Sequence, residues 1–102
     1  MIHVIATITV AAGRRAEFIA EFHRVVPAVL AEDGCLVYGP TVDLATGLAP
    51  QIPLRADVVT IVESWRDLEA LRAHLVAPHM AVYRARVKDL VHSAQLQVLE
   101  PA

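Results

Sequence analysis

A single cysteine, Cys35, in 102 residues rules out an internal disulfide and suits a reducing compartment, so a cytoplasmic location is expected. No apolar run approaches the ~18–20 residues of a membrane span. The opening MIHVIATITV alternates, and it has neither a basic n-region nor a small-residue cleavage site, so it reads as a strand and not as a signal peptide. Basic residues form no stripe, and the net charge is −2 with a pI of about 6.2, so nucleic acid is not an expected partner. There is no G-x-G-x-x-G, Walker loop, G-x-S-x-G, H-E-x-x-H or paired Cys/His spacing. Nucleotide, triad and metal chemistry therefore have no motif behind them. Internal repeats, low-complexity tracts and linkers are also missing.

What the chain does have is apolar residues. They make up 56% of it, and the mean hydropathy is +0.49. The length suits one domain, residues 1–102, and a domain this small has limited capacity to bury its own apolar surface. Some of that surface calls for a partner, and a second copy of the chain is the simplest one.

Residues 2–10 alternate with period two and are β-branched, which predicts a strand with Ile2, Val4, Ala6, Ile8 and Val10 on one face. From Arg15 the period turns helical, with Phe18, Phe22, Val25 and Val29 on one stripe. Pro27 predicts a kink or a late break there, and Gly34 a left-handed helix cap. Cys35–Val42 reads as a second strand and residues 43–56, with Gly47, Pro50 and Pro53, as a long irregular loop. Asp57–Trp65 is a central strand. Arg66–Val76 is a short helix, with Asp67 or Ser64 as its start signal. Pro78 begins another helix reaching about Val91, and Ala94–Glu100 is the last strand. The order β-α-β-β-α-α-β is a ferredoxin-like α+β plan, an antiparallel four-stranded sheet with helices on one face. Its strands read as largely apolar on both faces, so the bare face is expected to pack on a second copy.

The residues with chemistry concentrate in Val62–Tyr83. Glu63 interrupts an apolar strand; it is either a strand-end carboxylate paired with solvent or an arginine, or one that orients a histidine. Trp65 shares its parity and is either core packing or a wall for a flat ring. His74 and His79 are five apart, which on one straight helix places them on different faces. A break at Pro78 lifts that restriction and lets both reach one cleft, where a neutral imidazole serves as a base. The bland alternative is two surface histidines at helix ends. Tyr38 and Tyr83 read as core with hydroxyls that can reach a ligand, Cys35 as a small buried hydrophobe, and Arg84, Arg86 and Lys88 as a solvated face.

ESWRDLEALRAHLVAPHMAVY resembles the signature of the antibiotic biosynthesis monooxygenase superfamily, in which a strand ends in Glu-x-Trp and a short helix leads into a Pro-His element. PAVLAEDGCLVYGPTVD and QLQVLEPA resemble the quinol monooxygenase branch, through Gly34-Cys35, Tyr38-x-Pro40 and Val42-Asp43. The resemblance implies a homodimeric α+β barrel and oxidation of a quinol or polycyclic phenol by molecular oxygen without flavin, haem or metal. By that reading His74 or His79 is the base, Glu63 orients or polarises it, and Trp65, Tyr38, Tyr83, Thr7 and Met80 line the pocket. The haem-degrading branch places an Asn, a Trp and a ligating His where this chain has Thr7, His74 and a residue near Arg84, so it departs from that pattern. A branch that isomerises a phosphorylated hydroxyketone fits the His pair equally well, and a non-catalytic binding dimer keeps the same fold.

Overall fold

The computed structural model describes Met1–Ala102. Its elements are β1 (Ile2–Val10), α1 (Arg15–Leu30), β2 (Cys35–Thr41), β3 (Val58–Trp65), α2 (Leu68–Leu75), α3 (Pro78–Val87) and β4 (Val91–Leu99). This is the expected order, α+β with one antiparallel sheet arranged β2-β3-β1-β4. The alternation in β1 does what its period demands. Val4, Ala6, Ile8 and Val10 are buried under the helices, and the residues between them are half-buried on the other side. Val59, Ile61, Glu63 and Trp65 of β3 join them, and α1 lays Phe18, Phe22, Val25 and Val29 across this floor.

The face without helices differs from the expectation of apolar strands on both sides. Ile5 faces Val62 there, but Thr7 sits between Thr60 and Gln95, and His3 hydrogen-bonds Ser64 at 2.9 Å. The apolar content of the central strands is concentrated on the helix side, and the bare side is mixed.

Pro27 does not end α1. The helix continues one turn past it, and the Ala31 amide still donates to the Pro27 carbonyl at 3.2 Å. A proline in the last turn removes only its own N–H bond, so the break comes late. Gly34 is not the helix cap; Ala31 is. Gly34 instead takes φ +82° in the turn into β2 and accepts the Arg66 amide at 2.8 Å. A Cβ built on it would lie 2.7 Å from the Ala70 Cβ, so only glycine lets this turn lie against α2. Asp67, not Ser64, starts α2, accepting the Ala70 amide at 2.9 Å. Helix α3 stops at Val87, earlier than its apolar pattern predicts. The Leu90 amide closes a turn onto the Val87 carbonyl, and Val91 is captured by pairing with Val10, so β4 begins three residues early. Residues 43–56 form the expected irregular loop, clamped at its base where Arg55 donates to Asp43 at 2.8 and 2.9 Å. No helix is long and apolar enough to cross a membrane.

Candidate active site

A cavity of about 350 Å³ opens between the sheet and the helices. Ala6, Ile8 and Ile61 form its floor, Leu96 of β4 one side, and Phe22, Met80 and Val87 its helical walls. Twelve of its sixteen lining residues are hydrophobic, so it suits a flat apolar ligand with a few fixed polar contacts. The Phe22 ring stacks on Tyr38 with centroids 5.2 Å apart, and Tyr83 meets Phe22 edge-on at 5.6 Å. This aromatic corner brings both tyrosines into the lining.

Besides Tyr83, the polar residues of Val62–Tyr83 that line the cavity are Glu63 and His74, and both are buried. Glu63 Oε1 accepts the Trp65 indole N–H at 2.9 Å. Every fully buried side-chain nitrogen or oxygen has a hydrogen-bond partner, and neither Glu63 Oε2 nor His74 Nε2 has one. Neither atom is therefore wholly closed off, and both residues line the cavity. Burial pushes the Glu63 carboxyl above its usual range; the indole N–H and the nearby His74 oppose that shift, and Glu32 adds to it. Burial also raises the Tyr38 hydroxyl, with Glu63 adding to it, and pushes Tyr83 to about 12. Both phenols thus stay protonated at neutral pH and can only donate or accept hydrogen bonds.

The partner of His74 is not Glu63 but Glu32. His74 Nδ1 lies 2.8 Å from Glu32 Oε2, and His79 Nε2 lies 2.8 Å from the same oxygen. The break at Pro78 thus brings the two histidines to one place, as the spacing requires, but the carboxylate between them comes from the turn after α1. Sequence reading took Glu32 only as part of a helix stop. One local signal was present: an acidic residue just past a helix C-terminus, with no basic residue in the last turn, sits badly with the helix dipole. The three donor atoms lie within 4.8 Å of one another, and the 2.8 Å contacts have the length of N–H to carboxylate hydrogen bonds. We assign no metal to them.

Of the other expected site residues, Tyr38, Tyr83 and Met80 line the cavity. Trp65, His79 and Thr7 do not. Trp65 is fully buried behind the site, its ring 4.7 Å from that of His74, so it packs the histidine and not a ligand. Thr7 lies on the opposite face of the sheet, since strand parity separates it from Ala6 and Ile8. Arg84 and Lys88, expected on a solvated face, are exposed and also border the cavity, with Arg84 donating to the Leu75 carbonyl at 2.7 Å. Cys35 is half-buried at the start of β2, its thiol pushed up by burial and by the Glu32 and Glu63 carboxylates.

The comparisons with known proteins agree with this fold. The family model for antibiotic biosynthesis monooxygenase matches residues 1–86. A curated relative from Escherichia coli K12, "Probable quinol monooxygenase YgiN", is 37% identical over 103 residues, covering 99% of this chain and 98% of that one. Among solved structures, PA3566 of Pseudomonas aeruginosa superposes with a TM-score of 0.81 at 26% identity, covering 99% of this chain and 93% of that one. Rv0793 of Mycobacterium tuberculosis does so with a TM-score of 0.78 at 26% identity, covering 99% and 94%.

Proposed function

Because the chain belongs to the antibiotic biosynthesis monooxygenase family, we propose that it is a quinol-type monooxygenase that oxidises a hydroquinone or polycyclic phenol with molecular oxygen and requires no flavin, haem or metal. The observation that carries this reading is His74, a buried imidazole that lines an apolar cavity, with Nδ1 held by a carboxylate and Nε2 without a hydrogen-bond partner. A hydrogen bond from Nδ1–H to Glu32 fixes the tautomer in which Nε2 is basic. That nitrogen removes a proton from a ring hydroxyl, and the electron-rich ring anion then passes an electron to oxygen.

The electrons balance without a cofactor. A hydroquinone gives up two on becoming a quinone and two on hydroxylation of a ring C–H. One oxygen atom enters the ring and the other leaves as water. The protein supplies a dry, shaped site and a base. Glu63, shifted by burial toward its neutral form, donates to a ring oxygen through Oε2, while Tyr38, Tyr83 and Met80 hold the ring. A cavity of about 350 Å³ sits at the small end of ligand-site volumes and suits a two-ring quinol.

The reading takes residues 1–102 as one domain that works in the cytoplasm as a homodimer, with Ile5 and Val62 on the bare sheet face meeting a second copy. Isotopically labelled oxygen gas tests the reaction: one labelled atom in the product ring supports it. Unlabelled quinone with hydrogen peroxide would mean simple oxidation. One observation favours a second reading. Arg84 and Lys88 at the cavity are the charges a phosphorylated hydroxyketone needs, and His74 with Glu63 can act as an acid–base pair. Isomerisation of such a ketone under anaerobic conditions would support that alternative.

A further inference from the structure

The charged residues of the cavity are unevenly placed. Its lining holds one carboxylate, Glu63, and two cations, Arg84 and Lys88. Glu63, His74 and Tyr38 are buried, whereas Arg84 and Lys88 are exposed together with Leu75, Ala94 and Leu96. The pair that meets the reacting hydroxyl is thus at the closed end, and the cations are at the mouth. Helix α3 sets this up. Arg84 and Lys88 are four apart, so they share one of its faces, beside the buried Val87.

These two cations lack carboxylate partners. Arg14, Arg24, Arg55, Arg66 and Arg72 each pair with a carboxylate. Of the basic residues that pair with none, Arg84 and Lys88 are the two that line the cavity. Helix α3 carries no carboxylate, and Asp89, next to Lys88, is exposed and outside the lining. Arg84 gives one N–H to the carbonyl of Leu75, the last residue of α2, at 2.7 Å, which holds it at the mouth and leaves its other donors without a partner in the chain. Its charge reaches the aromatic corner: burial raises the Tyr83 hydroxyl, and the Arg84 guanidinium opposes that rise. Burial also shifts Glu63 toward its neutral form, so the lining is positive in a chain whose net charge is −2. Such a field draws in a ligand of negative charge.

We propose that the substrate is an acidic hydroquinone, a two-ring quinol with a carboxylate on the ring remote from the reacting hydroxyl, and that Arg84 and Lys88 select it by binding that carboxylate. This rests on the reading of the cavity as a quinol site. The floor gives the length. Glu63 pairs with Val4 and Ala94 with Ile8, four residues on along β1, so the closed end and the mouth lie about 13 Å apart. A flat two-ring acid with its hydroxyl at His74 spans most of this gap, and the long side chains of Arg84 and Lys88 cover the rest. The planar guanidinium matches a planar carboxylate, and Lys88 adds a compact charge. A phosphorylated ketone would use the same cations but would leave Phe22, Tyr38 and Tyr83 without a ring to pack on.

Binding under nitrogen tests this without turnover. The probes are a naphthohydroquinone with a carboxylate on its second ring and the methyl ester of that acid, each titrated into the full chain by calorimetry. The wild type should bind the acid about tenfold tighter than the ester, or more, and added salt should shrink that ratio. Arg84→Gln and Lys88→Gln should each lower the ratio, and the double variant should bring it close to one. Both positions are exposed, and an unchanged melting temperature shows that the variants are folded. No binding of either probe, a ratio near one in the wild type, or a preference that survives in the double variant would overturn the proposal. Oxygen uptake with the ester and no preference for the acid would remove this proposal and leave the oxygenase reading. Preference for the acid without oxygen uptake would leave the anion site and remove the oxygenase reading.

Discussion

Glu32 Oε2 lies 2.8 Å from His74 Nδ1 across 42 residues of chain, and this contact orients the one imidazole that opens into the cavity. It divides the labour between the two histidines. His74→Ala should lower turnover by roughly 10²–10⁴-fold, as expected for loss of a general base, with melting unchanged enough to show a folded protein. His79→Ala, whose ring does not line the cavity, should lower it by a smaller factor. Steady-state rates on one quinol decide this, and equal losses in both variants would contradict the division.

Glu63 predicts a pH dependence of stability. Burial raises its folded-state pKa above the usual 4.5, so the folded protein binds that proton more tightly than the unfolded chain does. The stabilisation is complete below the unfolded value and is lost as pH rises through the folded one. Glu63→Gln keeps an acceptor for the Trp65 indole and carries no charge to bury. Its melting temperature should therefore gain on the wild type as pH rises above 4.5, by on the order of a few °C. A difference that stays flat from acid to neutral pH would show that Glu63 is not held neutral by its burial.

Gly34 and Gly13 make a matched pair. Both have positive φ, +82° and +75°, but a Cβ on Gly13 meets nothing within 4 Å and one on Gly34 meets Ala70 at 2.7 Å. Gly13→Ala should show backbone strain alone, about 1 kcal/mol. Gly34→Ala should cost more, toward about 3 kcal/mol, because the turn must move off α2. That movement also shifts Glu32, whose carbonyl accepts the Cys35 amide in the same turn. Chemical denaturation of both variants measures the gap, and equal losses would contradict the close approach.

The bare sheet face predicts self-association. Mass in solution at micromolar concentration should be twice the 11.1 kDa of one chain, and Ile5→Glu, placing a charge opposite Val62, should reduce it to one. A wild-type monomer would remove the dimer from the account.

Most of the fold could be read from the sequence because it is local. Period two in Ile2–Val10, the nearly continuous apolar run of Val58–Trp65 and period 3.6 after Arg15 mark two strands and a helix without knowledge of the partner. The errors fall where a distant contact decides. Leu90 and Val91 continue the apolar pattern of α3, but Leu90 closes a turn onto Val87 and pairing with Val10 makes Val91 the start of a strand. The site was half legible. His74 and His79 stand out, and Pro78 explains how they meet. Glu32 is 42 and 47 residues away from them, in a turn whose Glu-Asp-Gly reads as a helix stop. Thr7, placed in the pocket by resemblance, faces the other side of the sheet, and of the two readings of Trp65, core packing or a wall for a ring, its contact with His74 fits the first.

The central claim, oxygen chemistry at His74 without a cofactor, is tested most directly by oxygen uptake after a reduced naphthoquinol is added to protein freed of flavin, haem and metal. Saturable uptake well above the buffer rate, falling at least about a hundredfold in His74→Ala, is the predicted result. Uptake no faster than buffer across a panel of quinols, or equal uptake in wild type and His74→Ala, would contradict it.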